Sequence, residues 1–177
     1  MNSKHDRFIA YYNDNKDKLF TYLMVRLNFD RSLAEDLLMD VVLKAYKNFN
    51  KFDPDKGSFK TWIFTLTRNH LMNYWRDNKK KTTVSLEDLE EEGFSPAVTE
   101  AEDYFSQQID SQQIQNILSL IKDDEREIIT LRYLQELSFE EISGIVGKKE
   151  GAIRTNLSRA LNRFSELYQK LYPDKAN

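Results

Sequence analysis

The chain has 177 residues, with 26 Lys+Arg against 29 Asp+Glu for a formal charge of −3, and no cysteine. That length suits one domain or two small ones with real apolar cores, and the absence of cysteine excludes disulfides and thiolate metal sites and fits a reducing compartment. No apolar run approaches the length of a membrane span and no signal peptide precedes Phe8, so a cytoplasmic protein is expected. Five Gly and three Pro in so long a chain favour helices with few turns. The expected fold class is all-α: two small helical domains, at residues 1–81 and 106–177, joined by an acidic linker at 82–105. Charge follows the same division. Residues 1–81 carry 16 Lys+Arg and 10 Asp+Glu, residues 82–121 none and 9, and residues 122–177 carry 10 of each. A basic front, an acidic middle and a balanced end say more about partners than the total does.

In chain order, the helical period through Phe8, Tyr12, Leu19, Tyr22 or Leu23, and Arg26 or Leu27 predicts a first helix from Asp6 to Asn28. A second helix is expected to start at Asp30 or at a Ser32–Glu35 capping box and to reach about Phe49. Its broad apolar stripe is Leu33, Leu37, Leu38, Val41, Val42, Ala45, Tyr46 and Phe49, with Glu35, Asp36, Asp40, Lys44 and Lys47 opposite. Pro54 and Gly57 make residues 50–58 a loop. The third helix should run from Ser58 to about Asp77, with Phe59, Trp62, Ile63, Leu66, His70 and Tyr74 on one face. Thr61, Thr65, Arg68, Asn69, Met72 and Arg76 share the other face, and Lys79, Lys80 and Lys81 follow. Segment 44–81 holds 10 Lys+Arg against 3 Asp+Glu, which suits sequence-independent docking on phosphates. Thr, Asn and Met among the cations, with Trp75 nearby, suit the unstacked bases of a single strand. The plainer reading is a solvated basic face.

The acidic linker contains Gly93 and Pro96 and shows no sustained helical period, as a tether would. A sharper reading is that Glu87, Asp88, Glu90, Glu91 and Glu92 imitate nucleic acid, lie in a partner's basic channel, and shield the cations of 44–81 in the free chain. Beyond it Ile109, Ile114, Ile117, Leu118 and Ile121 predict a helix, and Asp124 with Glu127 a capping-box-like start for another through Ile128, Leu131 and Leu134. The last two helices carry the most informative stretch, residues 137–163. Ser138 and Glu141 form a capping box, Phe139, Ile142, Ile145 and Val146 follow on one face, and Gly147 marks a left-handed helix end. Ile153 and Leu157 renew the apolar face, leaving Arg154, Asn156, Ser158 and Arg159 to point elsewhere. Small Ser143, then Gly147, then β-branched Ile153 is the spacing of a DNA-binding helix-turn-helix, although an ordinary helical hairpin can imitate it. The C-terminal domain should therefore hold four helices ending near Tyr172–Pro173.

Three segments carry a resemblance. AEDLLMDVVLKAYKNF and FKTWIFTLTRNHLMNYWR are similar to the second conserved region of bacterial sigma-70 factors, and DDEREIITLRYLQELSFEEISGIVGKKEGAIRTNLSRA to the fourth. The chain as a whole resembles the short extracytoplasmic-function (ECF) group, which lacks the first and third regions of larger sigma factors. The resemblance implies an initiation factor, not an enzyme, that takes no cofactor or metal, is a monomer when free, and brings core RNA polymerase to promoter DNA. Asp36, Leu37, Asp40 and Lys44 would grip the β′ clamp, and the C-terminal domain would meet the β flap. Lys56, Lys60, Arg68, Asn69, Asn73 and Arg76 would hold the −10 strand, with a flipped base in the loop at 50–58. Arg154, Thr155, Asn156, Ser158 and Arg159 would enter the major groove at −35, and the linker would thread the RNA-exit channel. The family also admits an anti-sigma protein as a further partner. Met39, Val42, Ile63, Asn73, Asn156 and Leu161 depart from residues frequent in the family at those positions.

Two other classes compete. An autonomous helix-turn-helix regulator would account for residues 122–170 but leaves the basic helix and the linker without a role, and it would normally dimerise on a palindrome. An enzyme would have to work with His5, His70 and carboxylates alone. His70, on an apolar helix face, reads as a satisfied core or boundary histidine.

Overall fold

The computed structural model describes residues 4–79 and 110–173. The expected linker at 82–105, with Glu87, Asp88, Glu90, Glu91 and Glu92, lies outside the described residues, as do Lys80, Lys81 and Ile109. Among the described residues there are eight α-helices and no strand. The N-terminal half contains α1 (Lys4–Asn13), α2 (Lys16–Arg26), α3 (Arg31–Asn48) and α4 (Phe59–Lys79). The C-terminal half contains α5 (Ser111–Leu120), α6 (Asp123–Ile129), α7 (Phe139–Val146) and α8 (Glu150–Leu171).

The single first helix expected from the sequence is two. Asn13, Asp14 and Asn15 are weak helix formers that bond to nearby backbone instead, and the Asn15 amide donates to the Tyr11 carbonyl at 2.8 Å where α1 breaks. Of the two candidate starts for α3, Asp30 is the cap: its carboxylate accepts from the Leu33 N–H at 3.0 Å. Glu35 pairs with Arg31 at 2.8 Å rather than reaching back to Ser32. The Ser58 hydroxyl accepts from the Thr61 N–H at 3.0 Å and opens α4.

An aromatic cluster organises the N-terminal half. Phe8 of α1 meets the rings of Tyr12, Tyr46, Phe49 and Phe59, and Phe52 packs 5.5 Å from both Phe59 and Trp62. The loop before α4 is thereby tied to the body by Phe52. Helix α4 is buried more broadly than one amphipathic face predicts: Phe59, Ile63, Phe64, Thr67 and Leu71 are all buried. The cause is that α4 packs on α3 and also on α7 of the other half. The buried residues of the two halves form one continuous core.

In the C-terminal half, Asp124 and Glu127 do not make a capping box. Asp124 accepts from its neighbour, the Glu125 N–H, at 2.9 Å, and the Glu127 side chain turns to the other half. After α6 a wide π-type turn, Thr130–Leu134, redirects the chain. The capping box at α7 is present as expected, with the Ser138 N–H donating to Glu141 at 2.8 Å and the Glu141 N–H to the Ser138 hydroxyl at 3.1 Å. Gly147 ends α7 at φ +75°, and the Ser143 hydroxyl closes the turn by donating to the Lys148 carbonyl at 2.7 Å. Ile153, Leu157, Ala160, Leu161 and Phe164 lock α8 onto the core. A Cβ at Gly147 would be strained in the left-handed region, so Gly147→Ala should cost about 1–2 kcal/mol of stability, read as a lower urea midpoint with an unchanged m-value.

Candidate functional site

Helix α3 presents an apolar strip to solvent. Met39, Leu43 and Tyr46, spaced to share one helix face, are 68%, 56% and 38% exposed. Asp36, Asp40 and Lys44 flank the strip and are exposed, whereas Leu37 is only 4% exposed and belongs to the core beneath it. Leu43 is not singled out from sequence and Tyr46 is expected within the buried stripe, although the signal is there: the apolar positions of α3 cover more circumference than one buried face can take. The carboxylate of Asp40 lies 3.6 Å from His70 Nε2, so His70 sits at the α3–α4 boundary, but its buried Nε2 has no hydrogen-bond partner among the described residues and the histidine is not satisfied as expected.

The residues of α4 and its loop expected from the sequence to hold a strand divide in two. Lys56, Asn69 and Arg76 are exposed and Asn73 is half-buried; Lys56 reaches Asp53 at 3.3 Å and Arg76 lies 3.5 Å from Asp77. Lys60 and Arg68 are instead engaged by the C-terminal half. The Lys60 ammonium donates to the Gln135 carbonyl at 2.6 Å, and Arg68 Nε donates to the Glu127 carboxylate at 3.0 Å. Burial, together with nearby Lys18, pulls the Lys60 amine below its ordinary range. Trp75 is likewise occupied, with the Arg26 guanidinium 4.9 Å above its ring.

Glu127 is the centre of this joint. The Tyr22 hydroxyl donates to its carboxylate at 2.7 Å, and the Arg26 guanidinium lies 3.7 Å away. Arg26 also pairs with the Asp123 carboxylate at 3.0 Å and donates to the Asp123 carbonyl. Burial raises the Tyr22 phenol well above its ordinary value, and the Glu127 charge adds to it. Burial opposes the charge on Arg26, but the surrounding negative groups, Glu127 and Asp123 among them, outweigh it. A second guanidinium, that of Arg126, donates to the Ile121 carbonyl at 3.0 Å and crosses to the Asn28 side chain and the Val25 carbonyl.

On α8 the helix period puts Arg154, Thr155, Ser158 and Arg159 on one face, with Asn156 at its edge. Arg154 and Thr155 are exposed, and Asn156, Ser158 and Arg159 are half-buried. The Arg154 guanidinium stacks 3.8 Å from the Phe139 ring centre and lies 3.4 Å from Glu150. Phe139 therefore supports the exposed Arg154, a contact its apolar period alone does not suggest.

Residues 11–81 match Sigma-70 region 2, and residues 111–164 match Sigma-70, region 4. The chain is 32% identical over 148 residues to the ECF RNA polymerase sigma factor SigM of Bacillus subtilis (strain 168), an alignment covering 83% of this chain and 86% of that protein. The chain is an ECF sigma factor of the sigma-70 family. It is also 25% identical over 142 residues to the ECF RNA polymerase sigma-E factor of Escherichia coli (strain K12), across 77% of this chain and 74% of that one. Among solved structures, the sigma factor RpoE in complex with the anti-sigma factor NepR from Bartonella quintana superposes with a TM-score of 0.66 at 25% identity, over 90% of this chain and 97% of that chain. CnrH, in complex with the cytosolic domain of CnrY, shares the fold at a TM-score of 0.66 and 17% identity, over 92% and 88% of the two chains.

In this ECF factor the region 2 and region 4 segments therefore meet at Glu127. Arg26 has no exposed side-chain surface, whereas Asp123 is half exposed, and Glu127 would keep Tyr22 and Arg68 if Arg26 were lost. Arg26→Ala should cost about 2–3 kcal/mol, measured by urea denaturation of the full chain; a loss below about 1 kcal/mol would show that Arg26 is not a structural partner of Glu127 and Asp123.

Proposed function

We propose that this sigma factor works in the cytoplasm, without catalysing a reaction itself, by docking α3 on the β′ clamp of core polymerase and using α4 and α8 to read the −10 and −35 elements. The observation that carries the clamp assignment is the exposed Met39–Leu43–Tyr46 strip. An apolar strip flanked by Asp36, Asp40 and Lys44 is what a partner surface looks like before its partner arrives. Leu37 then acts from beneath, by fixing α3 on the core. An autonomous regulator would leave that strip without a role.

The −10 strand would run over the loop at 50–58 and the exposed part of α4, touching Lys56, Asn69, Asn73 and Arg76 and, once they are released, Lys60 and Arg68. Arg154, Thr155, Asn156, Ser158 and Arg159 would face the −35 major groove, with the C-terminal half against the β flap. The relatives solved with anti-sigma factors support an anti-sigma protein as a further partner. No described helix is long and apolar enough to cross a membrane.

Run-off transcription with core polymerase tests the whole reading: a start-site-specific transcript appears with the protein and is absent without it. Leu43→Asp should weaken holoenzyme formation about tenfold or more, measured by titration against core polymerase, and leave the affinity of the free chain for −35 duplex unchanged. Arg154→Ala should cost about 1–3 kcal/mol at one −35 position and relax preference there. Holoenzyme binding across a panel of mutated −35 elements decides this, since a uniform loss on every sequence would make Arg154 a phosphate contact instead.

A further inference from the structure

We propose that the Met39 thioether is an oxidative modification site: a neutral hydroperoxide converts it to the sulfoxide, and the sulfoxide lowers the affinity of this sigma factor for core polymerase until it is reduced again. The proposal rests on the reading of the α3 strip as the surface that docks on polymerase.

Access to the sulfur comes first, because oxygen transfer needs the oxidant to reach it. Met39 is 68% exposed. The other described methionines, Met24 and Met72, are half-buried, and Met24 packs against the core. The chain has no cysteine to compete for the oxidant. Met39 is therefore the sulfur that a dissolved oxidant meets first.

The charges around that sulfur select the oxidant. Asp36 lies one turn before Met39 and Asp40 directly after it, both exposed, and Glu35, also one turn back, is paired with Arg31. Carboxylates repel an anion, so a neutral peroxide suits this face better than an anionic oxidant. The step balances without a further reactant. One peroxide oxygen bonds to Sδ as the O–O bond breaks, the sulfur gives up two electrons, the peroxide is reduced, and its other oxygen leaves as water with both protons. Methionine sulfoxide reductases reverse the change.

The consequence follows from where Met39 stands. It shares a helix face with the exposed Leu43 and Tyr46, so a partner that covers the strip covers the sulfur too. A sulfoxide oxygen accepts hydrogen bonds and donates none. The side chains one turn away on α3 are Glu35, Asp36, Val42 and Leu43; carboxylates also only accept, and the other two are apolar. No neighbour on α3 can supply the bond that water gives the oxygen, and an apolar partner surface would bury it unsatisfied. The fold itself is spared, since among the described residues the core is built without Met39.

The experiment treats full-length protein with hydrogen peroxide, locates the added oxygen by mass spectrometry of peptides, and then titrates the protein against core polymerase. Oxygen should appear on Met39 before Met24 or Met72. Affinity for core should fall about tenfold, with the urea midpoint and −35 duplex binding unchanged, and methionine sulfoxide reductase should restore it. Met39→Leu, whatever its own affinity, should bind core equally well before and after peroxide, while Met24→Leu should keep the loss. Earlier oxidation of Met24 or Met72, unchanged core affinity in protein fully oxidised at Met39, or an equal loss in treated Met39→Leu would each overturn the proposal. If untreated protein failed to bind core at all, the docking reading of α3 would fall and the proposal with it; binding that ignores peroxide overturns the proposal alone.

Discussion

A carboxylate buried between two helical units has to be matched in charge and in hydrogen bonds, and in this sigma factor the arrangement of α2, α4 and α6 follows from that requirement. Burying an ion costs several kcal/mol unless partners offset it, and Glu127 is 3% exposed. Its partners come in register. Tyr22 and Arg26 are one helical turn apart on α2, Asp123 and Glu127 one turn apart on α6, and the two pairs face each other. Arg68 completes the set from α4. Because a phenol, two guanidiniums and two carboxylates must meet together, the rotation of each helix about its axis is specified far more tightly than apolar packing alone would specify it.

Around that polar centre the packing is ordinary and extensive. Tyr22 presents its ring to Phe64 at 5.5 Å while its hydroxyl serves Glu127, so one side chain links the apolar core to the ionic joint. Gly144 gives α7 a flat flank against Thr61 of α4. Both a shared apolar core and the charged joint at Glu127 hold the halves together.

Other surfaces are left outside the joint. On α3, Met39 and Leu43 face solvent while Tyr46 lies at the edge of the aromatic cluster, Arg76 of α4 is exposed, and on α8 Arg154 stacks on Phe139. Lys60 and Arg68 differ from the exposed residues because they are held by the C-terminal half, at the Gln135 carbonyl and the Glu127 carboxylate.

Much of this was legible in the sequence. The all-α class, the α7 capping box, the left-handed Gly147 and the split into matching front and rear segments depend on neighbours within a few residues, where local hydrogen bonding and helical period act directly. The sequence also placed Asp36, Asp40, Arg154 and Thr155 on the surface, because each lies opposite an apolar stripe. It could not show that residues 6–28 break into two helices, since a short run of Asn and Asp is tolerated or not according to what packs on either side. It presented Glu127 as a helix cap, Arg26 as part of an apolar face, and Lys60 and Arg68 as solvent-facing cations. Only the tertiary structure paired them, because Tyr22, Arg26 and Arg68 lie 105, 101 and 59 residues from Glu127, and complementarity of charge across such separations leaves no periodic trace in the chain.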